Sequence, residues 1–260
     1  MDWHFAIAGA LVGSLVGMTG VGGGSLMAPI LVIIFGFAPT AAIGTDLWFA
    51  AITKSVGAVI HRRVGAPDWA VIGRLAMGSL PAAVLTVIWL SFRDGGKLES
   101  EFLLRLLGGA LLITAALMPL KGRMTKPLLR LRDALGPSMR RHQFGVTVVA
   151  GACVGALVTL TSVGAGAIVA VALMFIYPLR LSAKSLVGTD IIHAVPLAFV
   201  AAIGHFWLGN VDWHLLVSLL AGSIPGIVLG SLLAGRIHDG WLRGALAVVL
   251  ALSGTKLLMG

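Results

Sequence analysis

The sequence predicts an all-α fold: a polytopic transmembrane helix bundle of two inverted-topology repeats with five segments each, opening each repeat on short broken or re-entrant helices. Composition, an internal duplication and the placement of charge predict it. Of 260 residues, 58% are hydrophobic and 11% charged, with a mean hydropathy of +1.01. That is far more apolar than a water-soluble domain tolerates. The duplication aligns residues 9–28 with 151–170, where 11 of 20 positions are identical, and after a two-residue insertion 44–85 with 188–229. The recurring residues are distinctive: Gly44-Thr45-Asp46 returns as Gly188-Thr189-Asp190, His61 as His205, Asp68-Trp69 as Asp212-Trp213, and Gly78-Ser79-x-Pro81 as Gly222-Ser223-x-Pro225. Since a crossing needs ~20 mostly apolar residues, the chain holds one membrane domain, 1–260, with no room for a soluble one. Repeat one is 1–120, a basic loop is 121–143, and repeat two is 144–260.

In the first copy the apolar segments lie near 4–19, 25–37, 42–61, 69–91 and 102–120. The opening Met1-Asp2-Trp3-His4 lacks the cationic start of a cleaved leader, which predicts a retained first helix. That helix carries Gly9, Gly13 and Gly17 at a spacing of four, a stripe that lets helices approach closely in lipid. A break, Gly20-Val21-Gly22-Gly23-Gly24, separates it from a short second segment. The third opens on Gly44-Thr45-Asp46 and ends at His61; the fourth starts at Asp68-Trp69, a cap followed by an interfacial aromatic, and carries a kinking Pro81. The fifth is a plain apolar run. In the second copy the segments lie near 144–160, 166–178, 186–207, 213–234 and 241–259, with the break Val163-Gly164-Ala165-Gly166, a second stripe at Gly222, Gly226 and Gly230, and Pro225 in place of Pro81. Whether the short pairs cross or turn back, each copy has an odd number of crossings, so the second lies upside down relative to the first.

Charge tests that inversion. With loops alternating, one face collects 13 cations: Arg62, Arg63, seven in the central loop, Arg180, Lys184, Arg236 and Arg243. The other holds Arg93, Lys97, Arg105 and Lys256, while Lys54 and Arg74 lie within helices. The positive-inside rule makes the first face, with the 121–143 loop, cytoplasmic and sends both termini outside. An excess of 19 Lys and Arg over 10 Asp and Glu therefore speaks of orientation and lipid headgroups rather than nucleic acid. The lone Cys153 excludes an intramolecular disulfide and reads as core.

Several residues point to a site inside the membrane. The break at 20–24 leaves backbone amides without partners, which lipid tolerates only where they pack in protein or line a cavity. A helix starting at Gly24 or Ser25 would aim its amides and positive dipole end there, which suits an anion, and the break at 163–166 would aim a second from the opposite side. Thr45 or Asp46, and Thr189 or Asp190, read equally as helix caps or, deep in the membrane, as coupling groups: a buried Asp is a proton carrier or ion ligand. Lys54 follows eight residues after Asp46, and His193 three after Asp190 on the same face. Burial decides whether Lys54 snorkels, pairs with an acid or meets an anion. His61 and His205 sit at helix ends, where the dipole alone favours them; as a metal pair they are poor, and gating is the lesser reading. Pro81 and Pro225 are candidate hinges. No Ser-His, Cys-His or H-E-x-x-H set supports an enzyme, and no cofactor or metal site is expected.

The run from Gly13 through Gly17, Gly20, Val21, Gly22, Gly23, Gly24, Ser25 and Leu26 to Pro29, the Gly44-Thr45 opening, the loop from His61 to Trp69 and the Gly-Ser-x-Pro at 78–81, repeated more loosely in the second half, together resemble the TauE/SafE sulfite exporter family over nearly the whole chain. The resemblance implies a secondary transporter of the bacterial inner membrane that moves small sulfur-containing anions such as sulfite or sulfoacetate. On that reading Thr19, Gly22, Gly23, Gly24, Ser25, Thr45, Lys54, Thr161, Gly164, Gly166 and Thr189 contact the anion. Asp46, Asp190 and His193 handle coupling protons, and the copies rock to alternate access. Two acids beside an anion repel it unless protonated or paired, which favours proton coupling. The alternative is a channel, or a carrier of a different small ion, including a cation held by Asp46 and Asp190. The partners are thus a small substrate, protons and the bilayer; oligomeric state is not legible.

Overall fold

A computed structural model describes residues 2–19, 26–60, 67–93, 99–123, 125–164, 166–177, 180–233 and 239–259. They form ten helices and, among the described residues, no strand: α1 (Trp3–Thr19), α2 (Met27–Ile33), α3 (Pro39–Ile60), α4 (Trp69–Ser91), α5 (Ser100–Arg123), α6 (Thr125–Thr161), α7 (Ala167–Ile176), α8 (Ala183–Trp207), α9 (Trp213–Leu233) and α10 (Asp239–Met259). Six of them, α4, α5, α6, α8, α9 and α10, contain stretches long and apolar enough to cross a membrane. This is a multi-pass membrane protein. The second helix of each copy is short, 7 residues in α2 and 10 in α7.

Four boundaries differ from expectation. α3 starts at Pro39 rather than at Gly44, and α8 at Ala183, where Ser182 Oγ accepts from Ser185 N at 3.1 Å. Proline at a first helical position and serine at an N-cap are stronger start signals than Gly-Thr-Asp. Thr45, Asp46, Thr189 and Asp190 are therefore interior residues, and their reading as N-caps is overturned. α2 starts at Met27, not at Gly24 or Ser25. Residues 121–123 close α5 and 125–143 open α6, helical where a loop is expected; most of the side chains of this stretch lie outside the described residues. Cys153, expected in the core, is exposed on α6 because its neighbours Gly151 and Gly155 occupy the packed face.

The glycine stripes make the main contacts, and they join one copy to the other. α1 lies against α9: a Cβ added at Gly9, Gly13 or Gly17 would overlap the backbone of Leu219, Ser223 or Ile227, and one at Gly222 or Gly230 that of Ala6 or Ser14. α6 lies against α4 in the same way, Gly78 meeting Val148 and Gly155 meeting Ser79. Each copy's first helix thus packs on the other copy's fourth. Direction follows from the same contacts. Gly108 of α5 faces Gly254 and Leu258 of α10, while Gly254 faces back to Gly108 and Leu112, so one number rises as the other falls. α3 meets α8 likewise: Gly44 lies on Asn210 just past α8, and the Trp48 and Phe199 rings stand 6.0 Å apart. The equivalent helices α3 and α8, and α5 and α10, run antiparallel, the direction that inverted copies require.

Candidate functional site

The antiparallel crossing of α3 and α8 brings charge into the apolar interior. α3 supplies Asp46 and Lys54, and α8 supplies Asp190 and His193. Asp46, Asp190 and His193 are buried and Lys54 is partly buried. Lys54 lies within electrostatic reach of Asp190, Asp46 and His193. A charge in mid-membrane costs about 3 kcal/mol even with relaxation, so one cation among two acids offsets what each would cost alone.

Asp46 has polar neighbours on two sides and is bonded on one. Its Oδ2 accepts from Ala28 N in the first turn of α2 at 3.2 Å. Ser162, from the break after α6, stands beside it, and neither Asp46 Oδ1 nor Ser162 Oγ has a hydrogen-bond partner within range among the described residues. Ser162 adopts φ 58°, a left-handed conformation rare outside glycine, which its position in the break between α6 and α7 imposes. Gly164 follows at φ 114°, and Gly166 caps α7 without a side-chain acceptor. Thr161 shapes this break: its hydroxyl donates to Leu157 O at 2.7 Å and accepts from Val163 N at 3.1 Å. The second copy's break thus delivers a hydroxyl to the first copy's acid.

The copies are not equivalent here. At the places matching Lys54 and Phe49 the second copy has Ala198 and His193. His193 Nε2 and Ser79 Oγ are 2.8 Å apart, both fully buried, and His193 Nδ1 has no partner among the described residues. Sequence reasoning passed over Ser79 and Ser162 as site residues. Ser79 was within reach, since it recurs as Ser223 in Gly-Ser-x-Pro; Ser162 replaces the first copy's Gly20 and left no such trace.

Thr45 and Thr189 have another task. Thr45 Oγ1 accepts from Asp212 N and Thr189 Oγ1 from Asp68 N, each at 3.0 Å. Each Gly-Thr-Asp therefore pins the Asp-Trp turn of the opposite copy. Those turns cap their helices as the sequence predicts: Asp68 Oδ1 accepts from Ala70 N and Val71 N, and Asp212 Oδ1 from Leu215 N, with Trp69 and Trp213 exposed beside them. His205 is fixed, its Nε2 donating to Thr159 O at 2.8 Å and its Nδ1 3.5 Å from Asn210 Nδ2, which ties the end of α8 to α6. Pro81 and Pro225 lie inside α4 and α9. Gly22, Gly23, Gly24, Ser25 and His61 lie outside the described residues, as does the side chain of Thr19.

The comparisons with known proteins point one way. The family model described as sulfite exporter TauE/SafE matches residues 5–257. The chain is similar to "Probable membrane transporter protein YjnA" of Bacillus subtilis (strain 168), with 35% identity covering 99% of this chain and 100% of the relative. It is also similar to "Probable membrane transporter protein YdhB" of the same organism, with 28% identity over 95% and 96% of the two chains. A "Probable membrane transporter protein" of Xylella fastidiosa (strain Temecula1 / ATCC 700964) shares 28% identity over 88% and 84%. No solved structure matches the chain.

Proposed function

The chain belongs to the sulfite exporter TauE/SafE family, and from that premise we propose that this membrane transporter is a secondary active exporter of small sulfur-containing anions such as sulfite or sulfoacetate, working by alternating access with proton coupling. The observation that carries this reading is the group of four ionisable side chains, Asp46, Lys54, Asp190 and His193, buried or partly buried where α3 and α8 cross. Lys54 is the cation for the substrate, assisted by the backbone amides of Gly22, Gly23, Gly24 and Ser25 and by the break at Thr161, Gly164 and Gly166, with Thr19 at its edge. With both acids ionised, Lys54 leaves the group one negative charge in excess, and an anion would add a second. Protonation of Asp46 and Asp190 removes that repulsion, so substrate and protons bind together. Ser162, beside Asp46 with its hydroxyl unengaged, is placed to serve either state of the acid on a small approach, as a donor to the carboxylate or an acceptor from the protonated form. The cytoplasmic placement of 121–143, the outward termini and the bacterial inner membrane belong to the same proposal.

The test is flux. Purified protein in liposomes is expected to move labelled sulfite or sulfoacetate saturably under a proton gradient, and Asp46→Asn to lose the gradient dependence. Absence of flux for every sulfur anion sinks the substrate, and flux that rises linearly with concentration makes the protein a channel. A second reading, a cation as cargo, draws on two acids facing one lysine; cation-dependent flux without any anion would establish it.

A further inference from the structure

The Asp-Trp turn of each copy is bonded beside the acid of the other. Asp68 N reaches Thr189, the neighbour of Asp190, and Asp212 N reaches Thr45, the neighbour of Asp46. Because α3 and α8 run antiparallel, the two turns lie toward opposite ends of the charged group. They are closed by different means. Arg180, between α7 and α8, grips the Asp68 carboxylate with two hydrogen bonds, Nε to Oδ2 at 2.5 Å and Nη2 to Oδ1 at 2.9 Å. Its guanidinium stands 5.8 Å over the Tyr177 ring, and the Tyr177 hydroxyl is tied to Thr147 at 2.8 Å and Arg74 at 3.0 Å. The matching stretch of the first copy, 34–43, contains no cation to do this for Asp212; there Phe35 and Phe37 pack edge-on against Phe5, with ring centroids 4.9 and 5.8 Å apart.

We propose that Arg180 is a gating residue whose fork on Asp68 latches one mouth of the transport path and not the other. The fork aligns both N–H groups on one carboxylate, which fixes the closed position. Side-chain exposures of 45% for Arg180 and 17% for Asp68 let water replace the contact when it opens. At the opposite turn no fork grips Asp212 among the described residues: beside the aromatic contact, His214 Nδ1 stands 3.9 Å from Asp2 Oδ2, beyond hydrogen-bond range. The latch rests on the alternating-access reading and not on the identity of the substrate.

Thiol labelling tests it without any substrate. In a Cys153→Ser background, Ser79→Cys places a probe in the buried interior, and a membrane-impermeant charged thiosulfonate is applied to right-side-out and inside-out vesicles. Arg180→Gln is expected to speed labelling about fivefold, the upper range for a partly exposed ion pair, from the Asp68 face alone. Arg180→Lys, which keeps the charge and loses the fork, should fall between and serves as well should Arg180→Gln fold poorly. Unchanged labelling in both variants, or an equal rise from both faces, overturns the latch. A protein that labels from one face yet moves no sulfite overturns the substrate and keeps the latch.

Discussion

At the scale of single residues, the buried polar pairs make sharp predictions. Ser79→Ala leaves His193 Nε2 without its 2.8 Å partner in a fully buried place, and an unsatisfied buried group costs about 1–3 kcal/mol. The thermal midpoint of the purified protein should fall, and Ser79→Thr should recover part of it. Asp68 gives a pH prediction. Burial pushes its carboxyl up, but the Arg180 fork and the amides of Val71 and Ala70 outweigh that and hold it below the ordinary carboxylate value. A depressed acid contributes stability above its unfolded pKa of about 3.9 and loses it as pH falls through the folded value. The gap between wild type and Arg180→Gln, at most about 1 kcal/mol for so exposed a pair, should therefore be steady near neutrality and close below about pH 4. Unfolding measured from pH 3 to 7 checks this; a gap that widens in acid contradicts the assignment.

Among the helices, glycine separates contact from filler. Gly73 and Gly78 lie on the same helix, α4, yet a Cβ at Gly73 meets nothing within 4 Å, and one at Gly78 would overlap Val148 O. Gly78→Ala should cost about 1–3 kcal/mol through forced separation of α4 and α6, with Gly73→Ala neutral or slightly stabilising. Comparable midpoints for the two variants would mean that α4 and α6 do not pack through this face. The four-residue spacing made both stripes readable in advance, because small side chains at that interval have one common use in lipid. The helices start at Pro39 and Ala183, upstream of each Gly-Thr-Asp, because a proline at the first helical position and the Ser182 cap start a helix more strongly than the repeated motif does.

For the whole molecule, the proposed inversion predicts a topology. Reporters fused at the C-terminus and inserted within 121–143 should locate to opposite faces, the insert to the cytoplasm. Reporters on the same face would break the inverted arrangement and with it the positive-inside assignment. The duplication also explains why the copies interlock. With α1 on α9 and α4 on α6, the first and fourth helices of each copy find their packing partners in the other.

Composition, duplication and glycine spacing were sufficient for the membrane class, the two copies, the ten segments and their stripes, because those depend on local residue patterns and on the solvent the chain must match. The acids at 46 and 190, the lysine and the histidine were also visible as oddities in apolar segments. Their relations were not. That Asp46 meets Ala28 and Ser162, that His193 meets Ser79, and that each threonine pins the other copy's turn depend on contacts between residues far apart in the chain. Only the antiparallel packing of α3 and α8 sets those distances, since a hydrogen bond needs its partners within about 3 Å, a condition no linear pattern encodes.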